Sequence, residues 1–275
     1  SSSREIELET GGVDVALYIA SGDINRLKDN ANTTVYNQPG YSQTFITINQ
    51  NKCTALQNVN IRKAFYQALD IEGIVTSVYG NTAQPAYSIY PSTILGYKQV
   101  GKDMYDPDAA KALLDAAGYD YSQTWELMTT DDTNAIAICE AIKNMWSTVG
   151  IKVNIATYDQ ATMSEKVGSG EYQMQISSTS ASSGDPDHAL YEWKSAIHGL
   201  NTPQEITDLI STGAATYNAD KRAAIYGEIQ QKCWDYYGEI MIAFSNVIYG
   251  ANARVQNLDV QPGNVPNFAS LTFSN

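Results

Sequence analysis

Residues 59–118 constrain the fold most, because two amphipathic helical patterns flank a proline- and tyrosine-rich connection that is too patterned to be a spacer. Ile61, Ala64, Phe65, Ala68 and Leu69 recur at helical spacing behind Asn58 or Asn60 as a cap. Ile74, Val75 and Val78 extend the apolar face until Gly80 ends it, as one helix or two in tandem. After the connection, Asp106 is an N-cap with Pro107 at the first helical position. Ala110, Leu113, Leu114 and Ala117 share a face there, and Gly118 suits a left-handed terminator.

The rest of the chain alternates helices with strands. Asn134 to Val149 carries Ile138, Ile142, Met145, Trp146 and Val149 on one side and stops at Gly150, after which Ile151, Val153 and Ile155 alternate as a strand. Met163 and Val167 mark a short helix closed by Gly168 and Gly170, and Tyr172, Met174 and Ile176 form the next strand. Helices then start at Thr202–Pro203 and at Asp220, and Ile240 to Ala243 is a short apolar strand. Such a succession predicts an α/β fold.

Between the strand at Tyr172 and the helix at Thr202 the character changes, since Ser178 to His188 contains almost nothing apolar. Ligands of open α/β sheets bind beyond the carboxyl ends of strands, so this loop is placed to line a cleft. Thr179, Ser180, Ser182 and Ser183 can donate and accept hydrogen bonds there, and Asp185 can accept. The chain also holds 19 Tyr against five Phe. A phenol offers a stacking face with a polar tip, and Tyr87, Tyr90 and Tyr97, with Trp193, are the candidates for solute contact. Trp125 and Trp146 fit core positions, and Trp234 is ambiguous.

Composition narrows the partners. A formal charge of -13 and a pI near 4.5 repel phosphate backbones and anionic headgroups, so neither nucleic acid nor a membrane surface is expected. With 43% hydrophobic residues the chain has material for a substantial core. Cys53, Cys139 and Cys233 show no metal or redox spacing and read as structural thiols, with one disulfide left open. The pairs Asp131–Asp132 and Asp185–Asp187 read as capping or solvated groups, and no metal or cofactor is expected. A Ser/His/Asp hydrolase can be drawn from the serine loop, Asp185, His188 and His198, yet no GxSxG elbow supports it, so no catalytic residue is assigned.

Taken in order, the strand TFITIN, the 59–118 unit, AICEAIKNMWSTVGIKVNIATYD and SSGDPDHAL resemble the extracytoplasmic solute-binding proteins of ABC importers, family 5, the group of peptide, dipeptide and nickel binders. The resemblance covers nearly the whole chain. It implies a periplasmic-binding-protein-like (type II) fold, of which this chain is a C-terminal fragment: the second lobe at 41–238, with first-lobe remnants at 1–40 and a hinge crossing and return at 239–275. It further implies a non-enzymatic, monomeric subunit that traps a small polar solute between two lobes and passes it to a membrane permease. The location implied is extracytoplasmic, periplasmic or on a cell surface as a lipoprotein. Peptide-binding members hold the peptide's amino terminus with an aspartate where Ser182 stands here, so a sugar competes with an oligopeptide as the solute. A secreted hydrolase and a receptor-like sensor of the same fold are the alternative functions.

Overall fold

The structure, a computed structural model, describes residues 2–194, 199–263 and 265–274. Helix α1 (Ser2–Thr10) ends at Gly11, whose φ of +78° only glycine adopts at little cost, and leads into β1 (Val15–Leu17) and α2 (Ile24–Asp29). The chain then enters β2 (Thr33–Ile48), a strand of 16 residues. The tandem-helix pattern resolves into two helices. Asn58 caps α3 (Val59–Gln67) by accepting from the Asn60 amide, and Asp70 caps α4 (Ile71–Tyr79) by accepting from the Gly73 amide. A short β3 (Ala83–Pro85) opens the proline- and tyrosine-rich connection. Asp106 and Pro107 start α5 (Pro107–Ala116) as the sequence predicts, and β4 (Thr124–Thr130) follows.

Next come α6 (Thr133–Thr148), β5 (Lys152–Tyr158), α7 (Gln160–Gly168) and β6 (Met174–Ser180). The serine loop leads to the short helices α8 (Pro186–Ala189) and α9 (Tyr191–Lys194), then to α10 (Gln204–Ala214) and α11 (Ala219–Tyr236). The cap of α11 is Asn218 rather than Asp220. β7 (Glu239–Asn252), β8 (Val255–Gln256) and β9 (Thr272–Phe273) close the chain.

Among the described residues the main sheet has seven strands in the order β1-β7-β2-β6-β4-β5, with β3 on the free edge of β7. β6, β4 and β5 are parallel, and β2 runs antiparallel to both β6 and β7. The apolar contacts divide along the long β2/β7 ribbon. The large core takes Phe45, Ile46 and Ile48 from β2, Ile240 to Phe244 from β7, and the buried faces of α3 to α6, α10 and α11. Further along the ribbon, side chains alternate: Ile248 packs with Leu8, Ile24 and Leu27, while Val247, Tyr249 and Ala251 pack with Val255, Leu258 and Val260.

Between these two regions the register slips, from Pro39 opposite Asn246 to Ser42 opposite Ser245, so Gly40 and Tyr41 are extra residues in β2. A side chain at Gly40 would meet the Ser245 carbonyl at 2.8 Å, which explains the glycine. The Gly40 carbonyl in turn accepts from Thr93 Oγ1 at 2.7 Å.

Trp125, Trp146 and Trp234 are all buried, the last with its ring 5.3 Å from that of Tyr66. The three cysteines are buried free thiols, and burial pushes Cys53 and Cys139 up to about 12, so the disulfide left open by the sequence is not formed. No helix among the described residues is long and apolar enough to cross a membrane.

Candidate functional site

The sheet opens between two of its parallel strands. β6 pairs with β4 only at Leu127–Met174 and Met128–Gln175. Beyond those pairs β4 stays on β5 as far as Thr130, and β6 stays on β2 as far as Ser180. The connections explain the split. From β4 the chain crosses by α6 to β5 on one side, then returns by α7 to β6 on the other. Leu127 and the α6 residues Ile138 and Ile142 join the large core, whereas Met128 and the α7 residue Met163 pack together with Tyr172. Adjacent strand residues point to opposite faces, so α6 and α7 cover opposite faces and the gap between β4 and β6 is a topological switch point.

A cavity of about 530 Å³ occupies this wedge, lined by Thr130, Asp132, Gln160, Ser164, Gln175, Ser178 and Tyr191 among others. Ser178 Oγ lies 2.9 Å from Thr44 Oγ1, which lies 3.5 Å from the Tyr79 hydroxyl. Burial raises the Tyr79 phenol above its ordinary pKa, and nearby Asp132 adds to the effect, so it remains a neutral donor. Asp132 also caps α6 by accepting from the Ala135 amide at 2.9 Å. Because β6 and β7 both run from the large core toward the ribbon's slip, the wedge opens toward the end from which β2 and β7 leave.

The sequence-predicted residues do not all gather here. Thr179 and Ser180 are half-buried at the end of β6, opposite Gln43 and Ser42. Ser182 and Ser183 are exposed on the following loop. That loop is steadied by Tyr41, whose hydroxyl sits so close to Gly184 that a Cβ there would come within 2.7 Å.

Asp185 is not a free acceptor. It caps α8 by accepting from the Asp187 amide at 2.8 Å and pairs with Arg222 at 2.9 Å, which holds its carboxyl below the ordinary range. Tyr90 and Trp193, expected to face a solute, belong to the core instead. The Tyr90 hydroxyl accepts from Gln230 at 2.9 Å, and Trp193 Nε1 donates to Glu239 at 2.9 Å.

Tyr87 lines a separate cavity on the other side of the ribbon, with Tyr97, and donates to Glu72 at 2.9 Å. Sequence reasoning missed Thr130, Asp132, Ser178 and Tyr191 as wedge residues. Ser178 was within reach, since it stands in the hydroxyl run one residue ahead of Thr179.

Among the described residues the serine loop does not assemble a Ser/His/Asp triad. His188 Nδ1 lies 3.3 Å from Ser183 Oγ, but Asp185 is taken by Arg222, and Asp187 by Lys194 and the Tyr226 hydroxyl. The carboxylate that would orient the imidazole is thus engaged elsewhere. His198 lies outside the described residues. Among the described residues no cluster of three or more metal-ligating side chains occurs.

This two-faced sheet, crossed by a long ribbon, is the periplasmic-binding-protein-like α/β fold. HbpA2 from Haemophilus parasuis superposes with a TM-score of 0.91 at 23% identity, over 100% of this chain and 56% of that one. A periplasmic binding protein from Helicobacter pylori in complex with the peptide STSA gives 0.83 at 23% identity, over 100% and 55%.

The profile of the bacterial extracellular solute-binding proteins, family 5, middle part, matches residues 1–200, and the chain belongs to that family. Among curated relatives, the dipeptide-binding protein of Escherichia coli is 27% identical over 99% of this chain and 53% of its own length. The heme-binding protein A of Haemophilus influenzae is 28% identical over 84% and 44%. The chain spans about half the length of the curated relatives it matches.

Proposed function

We propose that this chain supplies the second lobe and the hinge of an extracytoplasmic binding protein that captures a small polar solute, foremost a short peptide, and hands it to an ABC permease without a chemical step. The observation that carries the reading is the wedge between β4 and β6, a cavity whose lining sets hydroxyl, amide and carboxylate groups among apolar ones and which opens toward the strands leaving the large core. Dipeptide- and di/tripeptide-binding relatives favour a peptide.

In this reading residues 41–238 form the second lobe, and 1–40 and 239–275 belong to the first lobe and the crossing. The division of the apolar contacts at the register slip supports the bound at 40/41, while on β7 the large core continues past 239 as far as Phe244. Closing the lobes removes water from the hydroxyls of Ser178, Ser182 and Ser183 and so strengthens their bonds to the solute. The working protein is a monomer held outside the cytoplasm, periplasmic or lipid-anchored.

A neutral solute such as an oligosaccharide is the second reading. It is favoured by the loop's free groups being hydroxyls, with Asp185 committed to Arg222.

A thermal-shift screen of the whole-length protein against di- and tripeptides, oligosaccharides, hemin and Ni²⁺ tests the assignment. A dipeptide is expected to raise Tm progressively, since a ligand at a hundred times its Kd stabilises by about 2.7 kcal/mol. Shifts from the saccharides alone would favour the second reading. Release of hydrolysed product from any of the peptides would refute binding without chemistry.

A further inference from the structure

The cavity that Tyr87 lines is not part of the wedge, because the β2/β7 ribbon lies between them. Its volume is about 320 Å³, at the small end of the range for ligand pockets. Its floor is the crossing itself, Gly40, Ser245 and Asn246, and its walls come from α4, β3 and the connection after it.

Those walls are fixed. Ser88 Oγ donates to the Lys98 carbonyl at 2.8 Å, Gln230 Nε2 donates to the Gly96 carbonyl at 2.6 Å, and the Gly101 amide donates to the Tyr87 carbonyl at 2.9 Å. Gln230, Ser88 and Tyr90 in this clamp are fully buried, so the pocket does not depend on a mobile loop. A site built in advance loses little ordering entropy when it is filled.

Its chemistry is one-sided. Glu72 is the one charged residue in the lining, and among the described residues it has no ion pair, only the bond from the Tyr87 hydroxyl. Asp70 and Asp103 lie near enough to join Glu72 and burial in raising the Tyr87 pKa, which marks a negative field. Tyr87, Tyr97 and Phe244 add ring surface. A carboxylate beside aromatic faces, with no basic group in the lining, attracts a cation that carries an apolar body.

We propose that this cavity is a second binding site, for a small organic cation whose ammonium or guanidinium pairs with Glu72 while its flat apolar part lies against Tyr87, Tyr97 and Phe244. Solute capture in the wedge is a separate event, and this assignment stands without it.

Titration calorimetry of the 275-residue chain with phenethylamine, 2-phenylethanol and phenylacetate tests it. Saturable binding of the amine is expected, with the alcohol at least about tenfold weaker and the acid not bound. Glu72→Gln is expected to weaken the amine about tenfold and to leave the alcohol and the unfolding temperature unchanged. That substitution is at an exposed position in the first turn of α4, and its amide oxygen still accepts from Tyr87. Equal affinity for amine and alcohol, unchanged amine affinity in Glu72→Gln, or no saturable binding of the amine would each overturn the assignment.

Discussion

Arg62→Met is expected to destabilise the protein by about 3 kcal/mol in urea denaturation, although Arg62 lines neither of the two cavities and meets no carboxylate among the described residues. The residue is 1% exposed, and its guanidinium is satisfied by backbone carbonyls. Nη1 donates to Leu56 and Gln57 at 2.9 and 3.0 Å, Nη2 to Tyr236 at 2.6 Å, and Nε to Tyr236 and Tyr237. The planar group also lies 4.3 Å over the Tyr236 ring.

These carbonyls are the ones that local structure leaves open. Two sit at the end of α11, where Tyr237 turns into the left-handed region at φ +50° without being a glycine. The positive charge suits the negative end of that helix. Methionine fills similar volume but leaves the carbonyls buried and unmet, and lysine cannot span both groups of carbonyls with one ammonium. Arg62→Lys is therefore expected to recover less than half of the loss. A Met variant within about 1 kcal/mol of the parent would show that the clasp is dispensable.

The second large effect is a pH dependence. Glu239 begins β7 and is 6% exposed, its carboxyl accepting from Trp193 on one oxygen while the other has no hydrogen-bond partner among the described residues. Burial, helped by the neighbouring Glu192, raises its pKa from 4.5 to about 8, against the opposing bond from Trp193. The folded state thus holds a proton that the unfolded chain has released between those values. Stability then falls as pH rises from about 4.5 to about 8 and is level above.

The expected loss across that interval is on the order of 5 kcal/mol. Glu239→Gln keeps an acceptor for Trp193 and removes the titration. The variant is expected to gain on the parent as pH rises and to be the more stable of the two at pH 9. Parallel stability profiles for the two proteins from pH 4 to 9 would contradict this.

What the sequence reveals about the fold is mostly what short-range chemistry decides. Asp106 with Pro107, Gly80 and the helix stripes through Trp146 act within one or two turns, and the structure places them as read. The crossing was less legible. TFITIN and Ile240–Ala243 read as short strands, yet they are pieces of strands of 16 and 14 residues. Pro39–Gly40 and Ser245–Asn246 lie just outside those two apolar runs. The ribbon runs through both because each strand is the other's partner some 200 residues away, which no local pattern records.

The site divides in the same manner. The loop after β6 was visible from its composition, but the wedge beside it exists because pairing with β4 stops at Gln175. Tyr90 and Trp193 have the amphipathic side chains that suit a cleft. Their polar ends are instead met inside the core by Gln230 and Glu239, residues far away in the sequence.

The most direct test of the central claim is a hydrogen-exchange footprint of the whole-length protein with and without a dipeptide that raises its Tm. Solute held in the wedge is expected to slow exchange at 129–132 and 176–184, while the helix 219–236 stays as it was. Protection confined to other parts of the chain, with 129–132 and 176–184 unchanged, would show that the solute is bound elsewhere.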